Sequence, residues 1–247
     1  MRVIKITIEY DGTKFSGWQM QAKGFRTVQG EIEEALNKIF KKRIVILGSG
    51  RTDSGVHALG QVAHFRIDSP LSLEKLHKAL NGNLPQDVVI TKLEEVDNDF
   101  HAQYSVKRKT YRYTILNRDI RSAINRNFCL LYPYKLNVKL MRSEAKCLVG
   151  KHDFKSFQNQ DISRKDESSV RTVKALTIKK DGDIITIDIT ADGFLYKMVR
   201  NIVGILLEVG SGKLPKGIVK RVLTQKDRTT APANAKAHGL TLLKVEY

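Results

Sequence analysis

Asp53 is a carboxylate in the run GSGRTDSGVHALGQVAHF (48–65), with Arg51 two residues before it and His57 four residues after. A carboxylate buried alone takes up a proton, whereas a nearby guanidinium keeps it ionised. An anionic Asp53 held in this way can attack an electrophilic carbon or act as a general base. The plainer reading is that Asp53 caps a turn and Arg51 pairs with it to steady the loop. Residue types alone leave both open. His57 and His64 suggest a metal pair less well than two hydrogen-bonding residues near a strand.

Three familiar motifs fail on this stretch. A phosphate-binding P-loop needs lysine after its last glycine and a helix behind it, but here no lysine follows and the next element reads as a strand. A nucleophile elbow needs Gly-x-Ser-x-Gly, which neither Ser49 nor Ser54 satisfies. Asp-Ser-Gly at 53–55 suits an aspartic protease only with a second such loop and an apolar strand directly before it; Gly50, Arg51 and Thr52 stand there instead.

The elements around the loop follow from periodicity. RVIKITIEY (2–10) alternates as a strand. TVQGEIEEALNKIF (27–40) puts Val28, Ile32, Leu36, Ile39 and Phe40 on one helical face, with Thr27 as N-cap. Strands are expected at about 44–48 and 60–67, a helix over 72–85 capped by Ser72, and a strand over 87–96. The order β-α-β-β-α-β is the split βαβ, ferredoxin-like pattern. The second half repeats it with insertions: a strand at 110–116, a helix at 137–150, a hairpin at 170–191 turning on Asp181-Gly182, an apolar helix at 196–212, a short helix at 214–225 and a last strand at 239–247. The expected fold is therefore α+β, two tandem ferredoxin-like (βαββαβ) half-domains with mainly antiparallel sheets and helices on one face. Residues 1–104 carry the Asp53 loop, and 105–247 complete an active-site cleft between the halves. The polar stretch 155–170 reads as a surface insertion.

Composition bounds the function. Lys and Arg number 43 against 26 Asp and Glu, a net charge of +17. Basic residues recur beside aromatics, as in VKRKTYRY and KMVRN, which suits a partner with phosphates and flat bases. Cys129 and Cys147 lack zinc-site spacing and sit among apolar neighbours, as small core residues do. No apolar run reaches membrane-spanning length, and the N-terminus enters a strand without signal-peptide layout, so the expected location is the cytoplasm. A metal-dependent nuclease would need clustered carboxylates; a non-catalytic RNA-binding module remains as the alternative, and it leaves Asp53 without a purpose.

GSGRTDSGVHALGQVAHF closely resembles the active-site motif of the tRNA pseudouridine synthase A family. YDGTKFSGWQMQ (10–21), TVQGEIEEAL (27–36), FHAQYSVKRKTYRY (100–113), FLYKMVRNIVG (194–204) and RTTAPANAKAHGLTL (228–242) resemble further family stretches in the same order. Ser54 stands where alanine is common in the family, and 155–170 matches least. The resemblance implies isomerisation of uridine to pseudouridine at nucleotides 38, 39 and 40 in the anticodon stem–loop of tRNA, with no cofactor or metal, by a homodimer that grips tRNA across both subunits. It implies that Asp53 is catalytic, that Tyr111 stacks on the uracil, and that Arg200 pairs with the catalytic aspartate as a buried charge. Arg51 then contacts the RNA backbone or the flipped nucleotide. Tyr111 and Tyr113 share a strand face, and only the resemblance chooses between them.

Overall fold

The computed structural model describes residues 1–21, 24–160 and 168–247. The fold is mixed α+β, and the strand pairs of the described residues are mostly antiparallel. The chain divides into two compact units, Met1–Lys107 with Thr241–Tyr247, and Arg108–Leu240.

The first unit contains β1 (Arg2–Tyr10), α1 (Val28–Phe40), β2 (Leu47–Gly48), β3 (His57–Ile67), α2 (Leu73–Asn83) and β4 (Val88–Val96). β1 is central, antiparallel to β4 on one side and to β3 on the other, and β2 pairs with the far side of β3. Period-2 alternation puts Ile4, Ile6, Ile8 and Tyr10 on one buried face. Ile32 and Leu36 of α1 and Leu76 and Leu80 of α2 are likewise fully buried. Both caps fall where the sequence puts them: Thr27 accepts from the Gly30 N–H, and Ser72 from the Lys75 N–H. The expected strand at 44–48 shrinks to Leu47–Gly48; Ile44 and Ile46 are buried without pairing in a ladder.

The second unit contains β5 (Arg108–Leu116), β6 (Leu130–Leu131), α3 (Val138–Ala145), β7 (Gly150–Asp153), β8 (Val170–Asp181), β9 (Ile184–Ala191), α4 (Met198–Gly210) and α5 (Ile218–Gln225). β9 lies between β5 and β8, all antiparallel, and β7 extends the sheet beyond β8. The hairpin turn is Gly182-Asp183 and not Asp181-Gly182, because Asp181 pairs with Ile184. α4 is apolar on nearly every side, as a helix enclosed by its own unit must be; within it only Arg200 and Glu208 escape full burial. The chain then runs into β10 (Leu240–Glu246), which lies parallel to β3 in the first unit.

The start of the polar stretch 155–170 is not superficial: Ser156 and Phe157 are fully buried, and the Ser156 hydroxyl donates to the Val222 carbonyl at 2.6 Å. The part of that expectation covering 161–167 lies outside the described residues. No helix of the described residues is long and apolar enough to cross a membrane.

Candidate active site

Asp53 lies half-buried in the loop that links β2 to β3, with Arg51 exposed on the same loop. The segment after β1 shapes this loop from outside. Tyr10, at the end of the buried face of β1, shares a 2.7 Å hydrogen bond with the buried Thr52 hydroxyl, and burial pushes the phenol well above the usual tyrosine range. The Trp18 N–H donates to the Thr52 carbonyl at 3.1 Å. The Ser54 hydroxyl donates to the Phe15 carbonyl at 3.0 Å. Within the loop the Val56 N–H closes a turn on the Asp53 carbonyl at 3.1 Å. The residues on both sides of Asp53 are thus tied to 10–18, so the carboxylate cannot drift with its backbone.

Gly12 makes this approach possible. A Cβ there would sit 2.0 Å from the Val56 carbonyl oxygen, and the Gly12 N–H donates to His57 Nδ1 at 3.0 Å. Gly12→Ala is therefore expected to push the loop off the 10–18 segment, at a cost of about 1–3 kcal/mol in stability. Turnover is expected to fall further than that stability loss explains, measured as kcat against a thermal melt of the same preparation. Unchanged turnover would separate the loop's position from the chemistry.

Further bonds hold the loop and its support. Gln61, fully buried within β3, accepts from the Ser49 hydroxyl at 2.7 Å and donates to the Gly50 carbonyl at 3.0 Å. Helix α1 is bound to the supporting segment, since the Val28 and Gln29 N–H groups donate to the Gly17 and Trp18 carbonyls. Buried Glu33 accepts from Gln29 and from the Ile46 N–H. Arg26 makes a two-pronged pair with Asp87 at 2.7 and 2.8 Å and lies over the Phe15 ring. The guanidinium holds the Asp87 carboxyl below the usual range, against the opposing effect of burial.

The second unit holds Tyr111 and Arg200. Tyr113 is wholly enclosed, and its hydroxyl donates to the Lys236 carbonyl at 2.7 Å. Tyr111, two residues earlier on β5, is half-buried, edge-on to Phe194 at 5.1 Å. Of the two tyrosines, Tyr111 is the one that retains accessible ring surface. Arg200 is half-buried, not the enclosed charge expected. Its Nε donates to the Ala235 carbonyl and an Nη to Asn234 Oδ1, both at 2.8 Å, while the Ala235 N–H returns to the Arg200 carbonyl. The 231–235 segment can reach α4 because residue 204 is glycine: a Cβ there would lie 2.3 Å from the Ala233 carbonyl oxygen. Arg228 anchors the same segment, donating to the carbonyls of Ala231 and Pro232 and to Oδ1 of the buried Asn201.

Sequence reasoning missed Gly12, Trp18, Gln61, Asn201, Asn234 and Arg228 as positioning groups. All but Gln61 and Asn201 sit in quoted stretches that carry little periodicity, which is itself a signal that something other than core packing selects their residues. Among the described residues, no group of three or more His, Cys, Asp or Glu is arranged to hold a metal ion.

A family model described as tRNA pseudouridine synthase matches residues 6–105 and 145–247. A protein named tRNA pseudouridine synthase A from Thermoanaerobacter sp. is 45% identical over 247 residues, covering all of both chains. A protein of the same name from Limosilactobacillus reuteri is 49% identical over 98% of this chain and 96% of its own. The tRNA pseudouridine synthase A 2 of Clostridium perfringens is 47% identical over the full length of both. Among solved structures, an archaeal box H/ACA sRNP complex aligns at a TM-score of 0.32 and 14% identity, over 82% of this chain and 53% of that one, too low a likeness to argue from.

Proposed function

The chain belongs to the tRNA pseudouridine synthase family, and from that premise we propose that Asp53 is the group that carries out its chemistry. The enzyme is an isomerase and its substrate is uridine in tRNA. The reaction breaks the bond between ribose C1′ and uracil N1 and forms one from C1′ to C5; a proton leaves C5 and N1 gains one. The observation that carries the assignment is the half-buried carboxylate on a loop held through both of its neighbours, because a reacting group acts best where its position is fixed before substrate arrives.

Tyr111 offers a half-open ring on which the extruded uracil stacks. Arg200, with its guanidinium aimed by Asn234 and Ala235, binds the substrate from the second unit's residues. Arg51, exposed on the catalytic loop, takes the RNA backbone or the flipped nucleotide. The target is nucleotides 38, 39 and 40 of the anticodon stem–loop, and the working form is a homodimer, which doubles the basic surface offered to a large anion. A cytoplasmic location goes with a tRNA substrate. The order β4-β1-β3-β2 in the first unit and β5-β9-β8 in the second support reading the chain as tandem ferredoxin-like halves.

The test is tritium release from a tRNA transcript labelled at uracil C5, with the product sites mapped by chemical modification and primer extension. Stoichiometric release with stops at the three named nucleotides is the expected result. A protein that binds the transcript and releases no tritium is an RNA-binding module, and the proposal falls.

A further inference from the structure

FHAQYS (100–105) closes the first unit with aromatic rings that no step above uses. His64 is buried in β3, and its Nδ1 accepts the Ala102 N–H at 3.2 Å. The His101 ring meets His64 edge-on at 5.0 Å, and Tyr104 stacks on His101 at 4.3 Å with the planes 26° apart. The series runs from the core outward and ends on Tyr104, which is 78% exposed.

Resting on the tRNA reading above, we propose that Tyr104, backed by His101, is a stacking platform for an unpaired nucleobase of tRNA other than the reacting uracil. A single exposed aromatic is ordinary; a rigid one is not. The turn beneath it is closed twice, by the Ser105 N–H on the His101 carbonyl at 2.9 Å and by the His101 N–H on the Ser105 hydroxyl at 3.1 Å. His101 Nδ1 accepts from the N–H groups of Gln103 and Tyr104. Ala102 is fixed from its other side by the Tyr247 hydroxyl at 2.7 Å. Tyr104 therefore presents one ring face to solvent with its other face supported, and the ordering cost of a mobile side chain is largely absent on binding.

The surroundings select the occupant. Gln103, Ser105 and Lys107, flanking Tyr104 in the chain, are polar and exposed, so this stretch offers the apolar area of one ring, too small for a protein-docking patch. It matches one base, and stacking of this kind tolerates any base because each has a π-face. The net charge of +17 supplies the long-range attraction to the phosphates.

The full-length protein is tested with a tRNA transcript at fixed salt. Tyr104→Ala is expected to raise Kd about tenfold, and Tyr104→Phe to stay within about twofold of wild type, since the ring and not the hydroxyl is used. Tyr104→Trp is expected to show emission quenched by tRNA and unaffected by a fully paired RNA duplex; Trp18 is buried and gives a steady background. Thermal melts of the three variants should coincide with wild type. Equal Kd for Tyr104→Ala and wild type, with wild type still releasing tritium, overturns the platform and leaves the function standing. A wild-type chain that releases no tritium overturns the function itself.

Discussion

Asp53→Asn is expected to lower tritium release by about 10³-fold or more, the scale on which loss of one essential catalytic group is read, while tRNA affinity stays within a few-fold. The substitution keeps the shape of the side chain and removes its charge. The Thr52 hydroxyl and carbonyl, the Ser54 hydroxyl and the Asp53 backbone carbonyl all anchor the loop, and the substitution leaves each of them in place. The loop should therefore keep its course, and the melt should move little. Attack on carbon and proton abstraction both require a basic electron pair that a neutral amide does not supply. Phosphate contacts dominate the affinity of proteins for nucleic acids, and removing one negative charge from a protein of net +17 cannot weaken binding through long-range repulsion. A variant that isomerises uridine at the wild-type rate removes Asp53 from the mechanism. One that loses tRNA binding in step with turnover makes it a docking residue.

How much of this was legible in the sequence depends on the range of the interaction concerned. Helix α1 is written locally: Thr27 caps it, and Val28, Ile32 and Leu36 recur on one face, so cap and core side both follow. The hairpin between β8 and β9 is legible as a hairpin but slips by one residue at its turn. The reason is backbone geometry, since the favoured two-residue turns need a positive φ at their first central position. Gly182 provides it at +53°, so Asp181 is the last paired residue and not the first turn residue. The clamp on the catalytic loop is illegible because it joins Gly12 to Val56 and Trp18 to Thr52 across the whole of α1. No periodic pattern records a backbone-to-backbone approach; the only trace is a glycine where none is needed for a turn. The choice between Tyr111 and Tyr113 was closed to pattern reading for a related reason. Alternation assigns both to one face, and the Lys236 carbonyl, more than a hundred residues away in the chain, helps to hold Tyr113 in the core.

Arg200→Ala is expected to cut kcat/KM by about 10²–10³-fold, the range found when one oriented donor is taken from a site of developing charge. Its effect on folding should be much smaller. A fully enclosed ion pair broken on one side costs about 3–5 kcal/mol, but Arg200 is half-buried, and water can reach the acceptors it leaves behind. They include the Asn234 amide oxygen and the Ala235 carbonyl, whose exposure without partners costs about 1 kcal/mol or a little more at such a position. Arg200→Lys makes the distinction sharper. A lysine keeps the charge and can satisfy one acceptor, yet it lacks the planar fork that engages Ala235 and Asn234 together and aims the guanidinium. The lysine variant should therefore recover most of the melting temperature and little of the turnover. Restoration of both by lysine would mean that charge alone matters at this position. Wild-type turnover in the alanine variant would leave Arg200 a tether for the 231–235 segment and nothing more.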